Sequence, residues 1–304
     1  MIARITGKSS GMVKLFAPAK INLFLKVTGK RTDGFHEIIS VLGKISVGDT
    51  LKIYRTNDHS GLRLSCPGYE NLESSDNLVA KAVDEWMHES GESWGMHIII
   101  SKNIPPMSGL GGGSSDAVTA LLGMNELADK KLSYDTLLRL AAKIGSDCPS
   151  FLIKGTCVAE GRGEKIRQTK QVASQKLIGR KVLLFRPDLG LLTTSVYTAF
   201  SRLKTFSCPV KSANDIKSWE KGNFPIDDLL DNDLEKTVFK KYLYFNSLFE
   251  LLKIKFGLLP KLSGSGSCSF ILLPPNFDDL TSLIDEIRSA WGAETWLQTC
   301  EIIN

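Results

Sequence analysis

The sequence predicts an α+β protein made of two halves with antiparallel sheets. Strand-like segments cluster early in the chain and do not alternate regularly with helical ones, which argues against a parallel α/β sheet. The chain has 304 residues, enough for two cores, and the polar stretch 167–181 separates two sets of elements. We therefore expect one domain at 1–166 and a second at 167–304.

The first half begins with strands and ends with helices. Apolar runs at 13–17, 21–27, 37–42 and 50–55 predict strands, with turns at "TGKRTDGF" and "VGD". A strand "LRLSC" and a helix over "SDNLVAKAVDEWMHE", capped by Ser75 or Asp76, come next. The strand "MHIIIS" leads into a glycine-rich stretch. Two helices follow it, one over "YDTLLRLAAKI" and an earlier one with an apolar face of Ala117, Ala120, Leu121, Met124, Leu127 and Ala128.

The second half opens with the strand "KVLLFRP". Helical segments follow it, and then a strand "CSFILLP", a helix "DDLTSLIDEIRSAW" and a final strand "TWLQTCEII". This mixture of strands and helices again predicts an α+β unit.

Composition is that of an ordinary folded protein. Hydrophobic residues make up 42% of the chain and charged residues 23%, and the net charge is +5. The positive charge is mild and scattered, which disfavours nucleic acid and fits a phosphorylated small molecule equally well, so charge alone does not decide the partner. With the short apolar runs taken into account, we expect a small-molecule partner, no nucleic acid and no membrane. Six dispersed cysteines without metal-ligand spacing favour reduced thiols in the cytoplasm. The start of the chain lacks the apolar run of a secretory signal, and residues 1–13 are given no role.

The stretch "PPMSGLGGGSSDAV", residues 105–118, indicates an anion site. It is not a Walker loop, because the only "GKS" has Ile2 where that loop needs glycine, and Ser114 stands where a dinucleotide fingerprint needs its third glycine. Bare backbone amides ahead of a helix still suit a phosphate. A flexible turn with a serine cap is the alternative, but a position between strand and helix disfavours it. Ser114 and Ser115 would cap the helix or offer oxygens to Mg²⁺ on the phosphate.

Three stretches together resemble the ordered motifs of the GHMP kinases, the galactose, homoserine, mevalonate and phosphomevalonate kinase superfamily. They are "APAKINLFLKVTGKRTDGFHEI", the glycine stretch and "LSGSGSCSF". Within the superfamily, Lys20, Asn22, "DGFH" and "GSDCPSF" resemble most the kinases that phosphorylate 4-diphosphocytidyl-2-C-methyl-D-erythritol. The resemblance implies a ribosomal protein S5 domain 2-like first half, a ferredoxin-like second half and an active site in the cleft between them.

The resemblance also implies ATP as the phosphate donor. The glycine loop would wrap the ATP phosphates, and other residues would hold the adenosine. The residues expected at ATP are Asp76, Asn77, Lys102, Pro105, Met107, Gly109, Leu110, Gly111, Gly112, Gly113, Ser114 and Ser115. Mg²⁺ is expected with ATP, and its protein ligands are left unassigned.

The resemblance assigns the catalytic chemistry to Lys20 and Asp147. Asp147 would take or orient the proton of the acceptor hydroxyl, and Lys20 would keep Asp147 ionised and balance developing charge. The residues alone leave simpler roles open, a helix cap for Asp147 and a solvated strand charge for Lys20. A lysine inside an apolar run nevertheless needs a partner, for which we expect Asp147.

The resemblance assigns the cytidine to the segment "GFH". Phe35 would stack on the cytosine, His36 would hydrogen-bond its polar edge, and Tyr197 would close the other face. Asn22 would meet the methylerythritol end. A hairpin turn with one core aromatic is the simpler interpretation of the same residues.

Two other functions stay open at this point. One is a different GHMP kinase, acting on mevalonate or homoserine, and the other is a catalytically silent nucleotide-binding protein on the same fold. The "DGFH" segment disfavours the first, and the presence of both Lys20 and Asp147 disfavours the second. We expect a monomer or a homodimer.

Overall fold

The computed structural model describes residues 4–9, 11–56 and 60–304. Contacts divide these residues into two units that interleave along the chain. The first unit takes in the described residues up to Ala19, 47–105 and 111–154, and the second takes in 20–46, 106–110 and 155–304. The domain pair expected at 1–166 and 167–304 stays a prediction.

The first unit contains a mixed sheet. Its strands are β1 (Arg4–Ser9), the first part of β2 (Met12–Lys30), the last part of β3 (His36–Thr56), β4 (Leu62–Ser65) and β5 (Gly95–Ser101), in the order β1–β2–β3–β5–β4. The β3/β5 pair is antiparallel, as predicted for this half of the chain, whereas β4 runs parallel to β5. Strand β1 was not predicted, and it pairs antiparallel with β2.

Helices cover this sheet and complete the first core. They are α1 (Leu78–Ser90), α2 (Gly112–Leu127) and α3 (Tyr134–Ile144), with 3₁₀ helices at Glu70–Leu72 and Cys148–Leu152. Trp86 of α1 is fully buried, and its ring lies 5.5 Å from that of Trp94. In α2 every residue from Ser115 to Leu121 is buried, so α2 is a central helix of this core.

The turn predicted at "VGD" is wrong, because β3 continues straight through it. A Cβ on Gly48 would lie 2.4 Å from the carbonyl oxygen of Ala17, so glycine is needed here for the close approach of the neighbouring strand. The two apolar runs at 13–17 and 21–27 likewise join into the single strand β2. The turn predicted at "TGKRTDGF" is confirmed, since β2 ends at Lys30 and β3 begins at His36.

The cap predicted for α1 is also wrong. The N-cap is Asn77, whose Oδ1 accepts from the amide of Val79 at 2.9 Å, rather than Ser75 or Asp76. The Nδ2 group of Asn77 also donates to the carbonyl of Leu72 at 2.7 Å. An asparagine bonded to the backbone at both ends of its amide fixes the start of α1.

The second unit contains the remaining parts of the long strands and a second sheet. Strands β6 (Cys157–Gly161), β7 (Lys165–Gln168) and β9 (Asp231–Asn232) pair with β3, β6 and β2 respectively, and the β9/β2 pair is parallel. The second sheet has the order β10–β11–β8–β12 and is antiparallel throughout. Its strands are β8 (Lys181–Arg186), β10 (Lys261–Leu262), β11 (Ser269–Leu272) and β12 (Trp296–Glu301).

The helices of the second unit pack around an aromatic core. They are α4 (Gln171–Gln175), α5 (Thr193–Ser201), α6 (Pro209–Glu220), α7 (Glu235–Lys241), α8 (Leu243–Phe256) and α9 (Leu280–Trp291), with a 3₁₀ helix at Ile226–Asp228. The ring of Trp291 lies 5.4 Å from Phe185 on β8 and 4.9 Å from Phe245 on α8. The strands and the helix predicted at the end of the chain are confirmed.

Five of the six cysteines are buried and behave as packing residues, whereas Cys208 is exposed. None of the six is in a disulfide, all of them lying in the described part of the chain. Burial raises the pKa of Cys66 to about 11 and that of Cys148 to about 12, so both thiols stay protonated. Cys268 is fully buried and its pKa is raised as well, as fits a small apolar residue. Within residues 4–9, 11–56 and 60–304, no helix is both long and apolar enough to cross a membrane.

Candidate active site

The glycine stretch has the strand–loop–helix context that its sequence predicts. It follows β5 and ends in α2, whose N-cap is Gly111. Gly109 and Gly111 have φ angles of 78° and 74°, in the left-handed region that favours glycine. The first turn of α2 therefore presents backbone amides and the positive end of a helix dipole behind a loop of bare backbone, an arrangement suited to a phosphate.

Gly109 is fixed by contact with the segment "LSGSGSCSF" of the same unit. A Cβ on Gly109 would lie 2.1 Å from the carbonyl oxygen of Ser263, closer than any side chain can be accommodated. The Ser263 hydroxyl donates to the carbonyl of Gly109 at 3.0 Å, and the Cys268 amide donates to that of Ser108 at 2.9 Å. The small residues of this segment thus allow it to pack directly on the loop.

The two serines after the glycines do not cap α2. The cap is a glycine, and no side chain caps this helix among the described residues. Ser114 is half-buried, whereas Ser115 is fully buried, and its Oγ atom has no hydrogen-bond partner within residues 4–9, 11–56 and 60–304. Capping is therefore wrong for both serines, and an oxygen available to a ligand is the role that remains for Ser115.

Three charged side chains form a buried cluster at the base of the loop, which we call the Lys102 cluster. The Nζ atom of Lys102 donates to Oδ2 of Asp49 at 2.5 Å and to Oδ2 of Asp116 at 2.8 Å. The side chains of Lys102, Asp49 and Asp116 are 5%, 0% and 4% exposed. Burial lowers the pKa of Lys102, but its two carboxylate partners outweigh burial and raise it overall. Burial raises the pKa of Asp116, with Lys102 opposing and Asp49 adding to the shift.

The Lys102 cluster joins the two ends of the glycine stretch. Lys102 directly follows β5, and Asp116 lies in the N-terminal part of α2. Asp49 also accepts from the backbone amides of Asn103 and Ile104, at 2.5 and 2.8 Å, through Oδ1. Lys102, predicted to hold the adenosine, is thus engaged with two carboxylates. Asp49 was not predicted as a site residue because the "VGD" segment was interpreted as a turn, where a charged residue is common and indicates no functional site.

Lys20 is not a solvated strand charge. It is 4% exposed on β2, and its Nζ atom donates to Oδ1 of Asn22 at 2.6 Å and to the carbonyl of Gly109 at 2.9 Å. Its backbone amide also donates to the carbonyl of Leu110 at 2.9 Å. Asn22, itself buried, donates to the Ser40 hydroxyl at 3.0 Å. The structure therefore brings Lys20 and Asn22 together at the glycine loop.

Asp147 lies at the start of a short helix without capping it. It occupies the N-cap position of the 3₁₀ helix Cys148–Leu152, but no amide of that helix donates to its carboxylate in the described structure. Its backbone carbonyl instead accepts from the Ser150 hydroxyl at 2.6 Å. The side chain is half-buried. The capping role is therefore not supported, and the pairing of Asp147 with Lys20 stays a prediction.

The other residues expected at ATP differ in exposure. Asp76 and Met107 are exposed, Pro105 is half-buried and Leu110 is fully buried. Met107 has a φ of 53°, and its carbonyl accepts from the amide of Leu191 at 3.2 Å. Gly113, another residue expected at ATP, is also exposed.

The residues expected at the cytidine form a second cluster, in the second unit. His36 is buried, its Nε2 atom is hydrogen-bonded to the Ser201 hydroxyl at 2.6 Å, and its ring lies 5.1 Å from that of Tyr197. Burial lowers the pKa of His36, and the charge on Lys30 lowers it further, so the imidazole is neutral at physiological pH. Phe35 is 48% exposed, so it is not the core aromatic of an ordinary hairpin.

The described residues hold no group of three or more His, Cys, Asp or Glu side chains that is arranged to bind a metal ion. Oxygen donors suited to Mg²⁺ are nevertheless present beside the loop. The Oγ atom of Ser115 and the Oδ1 atom of Asp116 are buried and have no hydrogen-bond partner in the described part of the chain. Because Mg²⁺ bound to a nucleotide needs only one or two protein oxygens, these residues fit a magnesium ion that arrives with ATP.

Comparison with known proteins identifies related chains. Residues 77–155 match the model of the GHMP kinases N terminal domain. The chain is 34% identical over 305 residues to the 4-diphosphocytidyl-2-C-methyl-D-erythritol kinase of Methylacidiphilum infernorum, covering 97% of this chain and 98% of the relative. A crystal structure of 4-(cytidine 5'-diphospho)-2C-methyl-D-erythritol kinase superposes with a TM-score of 0.73 at 30% identity, covering 95% and 99% of the two chains.

A homoserine kinase from Cytophaga hutchinsonii reaches the same TM-score of 0.73, over 99% and 98% of the two chains, but at 16% identity. That likeness shows the fold alone. The fold and the glycine loop thus define a small-molecule kinase with the GHMP kinase fold, which uses ATP. On its identity to full-length relatives, the chain belongs to the 4-diphosphocytidyl-2-C-methyl-D-erythritol kinase family.

Proposed function

We propose that this protein transfers the γ-phosphoryl group of ATP to the 2-hydroxyl of 4-diphosphocytidyl-2-C-methyl-D-erythritol. The products are the 2-phosphate and ADP, and the reaction is a step of the non-mevalonate route to isopentenyl diphosphate. The observation that carries the proposal is the 34% identity, along 97% of this chain, to a protein named 4-diphosphocytidyl-2-C-methyl-D-erythritol kinase. The 16% identity to a homoserine kinase gives no comparable support for that substrate.

The glycine loop would bind the donor. Its backbone amides and the N-terminus of α2 would face the ATP phosphates, because unpaired amides and the positive end of a helix dipole attract anions. Mg²⁺, when bound with ATP, would supply charge neutralisation at the phosphates, and Ser115 and Asp116 are the residues whose oxygens would hold it.

Lys20 would stabilise charge at the phosphate being transferred. Its ammonium lies 2.9 Å from the Gly109 carbonyl, so it is already at the loop, and Asn22 orients it through a 2.6 Å hydrogen bond. Phosphoryl transfer asks chiefly for such positioning and charge stabilisation. Asp147 would orient the acceptor hydroxyl and take its proton, a role compatible with a half-buried carboxylate that does not cap its helix.

The hairpin would recognise the cytidine. The exposed ring of Phe35 offers a stacking face, and the neutral His36 offers one donor and one acceptor nitrogen, of which Ser201 occupies one. Tyr197, packed on His36, would close the pocket for the base.

The oligomeric state, expected to be a monomer or a homodimer, and the cytoplasmic location both remain predictions.

The test is a substrate panel. Phosphate transfer from ATP would be measured with 4-diphosphocytidyl-2-C-methyl-D-erythritol, mevalonate and homoserine as acceptors at matched concentrations. We expect the cytidylated alcohol to be phosphorylated with the highest kcat/KM. An equal or higher value for mevalonate or homoserine would reject the proposal, and no transfer to any acceptor with retained ATP binding would indicate a silent nucleotide-binding protein.

A further inference from the structure

Arg162 lies in a tight turn beside the hairpin that carries Phe35. Strand β6 pairs antiparallel with β3, with Gly161 opposite Ile38, so the residue after Gly161 lies next to the start of β3. Gly161 and Gly163 have φ angles of 73° and 117°, which allow the chain to reverse on both sides of Arg162.

The turn is built around Glu164. The carboxylate of Glu164 accepts from the amide of Arg162 at 2.7 Å, and a Cβ on Gly161 would lie 2.7 Å from the same carboxylate. Glycine at 161 therefore makes room for the Glu164 side chain, which in turn fixes the backbone of Arg162. The turn thereby fixes the direction in which the Arg162 side chain leaves the backbone.

The guanidinium of Arg162 is directed at Phe35. Its central carbon lies 5.2 Å from the centroid of the Phe35 ring, within the range of a cation–π contact. The hairpin holds the ring from the other direction, because the amide of Phe35 donates to Asp33 at 3.1 Å and its carbonyl accepts from the Arg31 amide at 2.9 Å. With a guanidinium against the ring and 48% of Phe35 still exposed, surface remains on the ring for a second planar group.

We propose that Arg162 is a positioning residue for the cytosine, holding one face of Phe35 so that the ring stacks on the base with its other face. The result would be a three-layer stack of guanidinium, phenyl ring and base. Fixing the ring before binding reduces the ordering cost of the complex. This inference rests on the proposed function, since it takes Phe35 as the residue that contacts the base.

The test measures binding of three ligands to the full-length protein: cytidine, cytidine 5'-diphosphate and an ATP analogue. The variant is Arg162→Gln, and the matched control is Lys165→Gln, which removes the same charge from an exposed position in the same β6/β7 hairpin. Ordering one side chain on binding corresponds to about a two- to twelve-fold change in Kd. We expect Arg162→Gln to weaken cytidine and cytidine 5'-diphosphate equally by that factor, with unchanged binding of the ATP analogue. We expect Lys165→Gln to match the wild type.

Kinetics separate this role from a structural one. In Arg162→Gln the KM for the cytidylated alcohol should rise by the same factor, with kcat and the KM for ATP unchanged. A general loss of folding would instead change all three constants. Should the glutamine variant unfold, Arg162→Met keeps the long apolar stem without the charge and takes its place in the same measurements.

Three outcomes would overturn the inference or its basis, and they differ from one another. Unchanged cytidine binding in Arg162→Gln contradicts the stack while leaving the proposed function intact. Weaker binding of cytidine 5'-diphosphate alone would make Arg162 a phosphate contact and would likewise reject the stack. Failure of the wild type to bind cytidine or its diphosphate would reject the proposed function itself.

Discussion

Replacing Lys102 by methionine tests whether the Lys102 cluster holds the glycine loop. The variant keeps the length of the side chain but leaves Asp49 and Asp116, which are 0% and 4% exposed, without their shared cation. Removing one partner of a buried ion pair costs about 3–5 kcal/mol, because an uncompensated buried charge remains. Against a total stability of about 5–15 kcal/mol, such a loss is large.

The matched control is Lys131→Met, which breaks an exposed pair with Glu126 in the same unit. That pair is expected to contribute about 0–1 kcal/mol. Urea unfolding of both variants at neutral pH would give the free energies of unfolding. Lowering the pH should recover part of the loss in Lys102→Met, because protonation removes the unpaired charges. Equal losses in the two variants, or a loss in Lys102→Met that does not depend on pH, would refute the reasoning.

Four further results are expected. Asp147→Asn should reduce kcat by about 10²- to 10⁴-fold with ATP binding retained, and near-normal turnover would make Asp147 structural. Gly109→Ala should lower the free energy of unfolding in urea by about 2–5 kcal/mol, because of the left-handed φ and the 2.1 Å contact at this position. Gly68→Ala, where φ is also positive but the surrounding space is open, should lower it by about 1–2 kcal/mol. Similar losses in the two variants would contradict the contact. Phe35→Ala should raise the KM for the cytidylated alcohol by about 5- to 100-fold and leave that for ATP unchanged, and equal changes would indicate destabilisation. Because the pKa of Asp116 is raised in the folded state, its contribution to the free energy of unfolding should be present at low pH and fall as pH rises through that pKa. Asp116→Asn removes this titration, so an unchanged slope of the free energy of unfolding against pH in that variant would exclude Asp116 as the source of the pH dependence.

The parts of the fold that follow from local patterns were predictable from the sequence. The strand β5 and the helix α2 on either side of the glycine stretch, the helix α3 and the last strand β12 were predicted from their apolar residues. The error at "VGD" has a different origin, because the need for glycine at position 48 comes from the Ala17 backbone, which is distant in sequence. Glycine in a turn and glycine at a close strand contact are identical in the sequence.

A site residue could be predicted from the sequence where its residue type is unusual for its position. Lys20 stands out as a lysine in an apolar run, and its burial confirms that it needs partners. The partners found for it, Asn22 and the Gly109 carbonyl, depend on tertiary structure. Asp49 and Arg162 could not be found from sequence alone, because their contacts with Lys102 and Phe35 are made by residues more than fifty positions away.

The most direct test of the central claim is the identity of the phosphorylated product. The protein would be incubated with ATP, Mg²⁺ and 4-diphosphocytidyl-2-C-methyl-D-erythritol, and the new phosphate would be observed by phosphorus NMR. Carbon 2 of the acceptor bears a methyl group and no hydrogen, so a phosphate at the 2-hydroxyl has no three-bond coupling to a proton. We predict one new uncoupled phosphomonoester signal that grows together with ADP. A proton-coupled signal, or ADP without a new ester, would contradict the account.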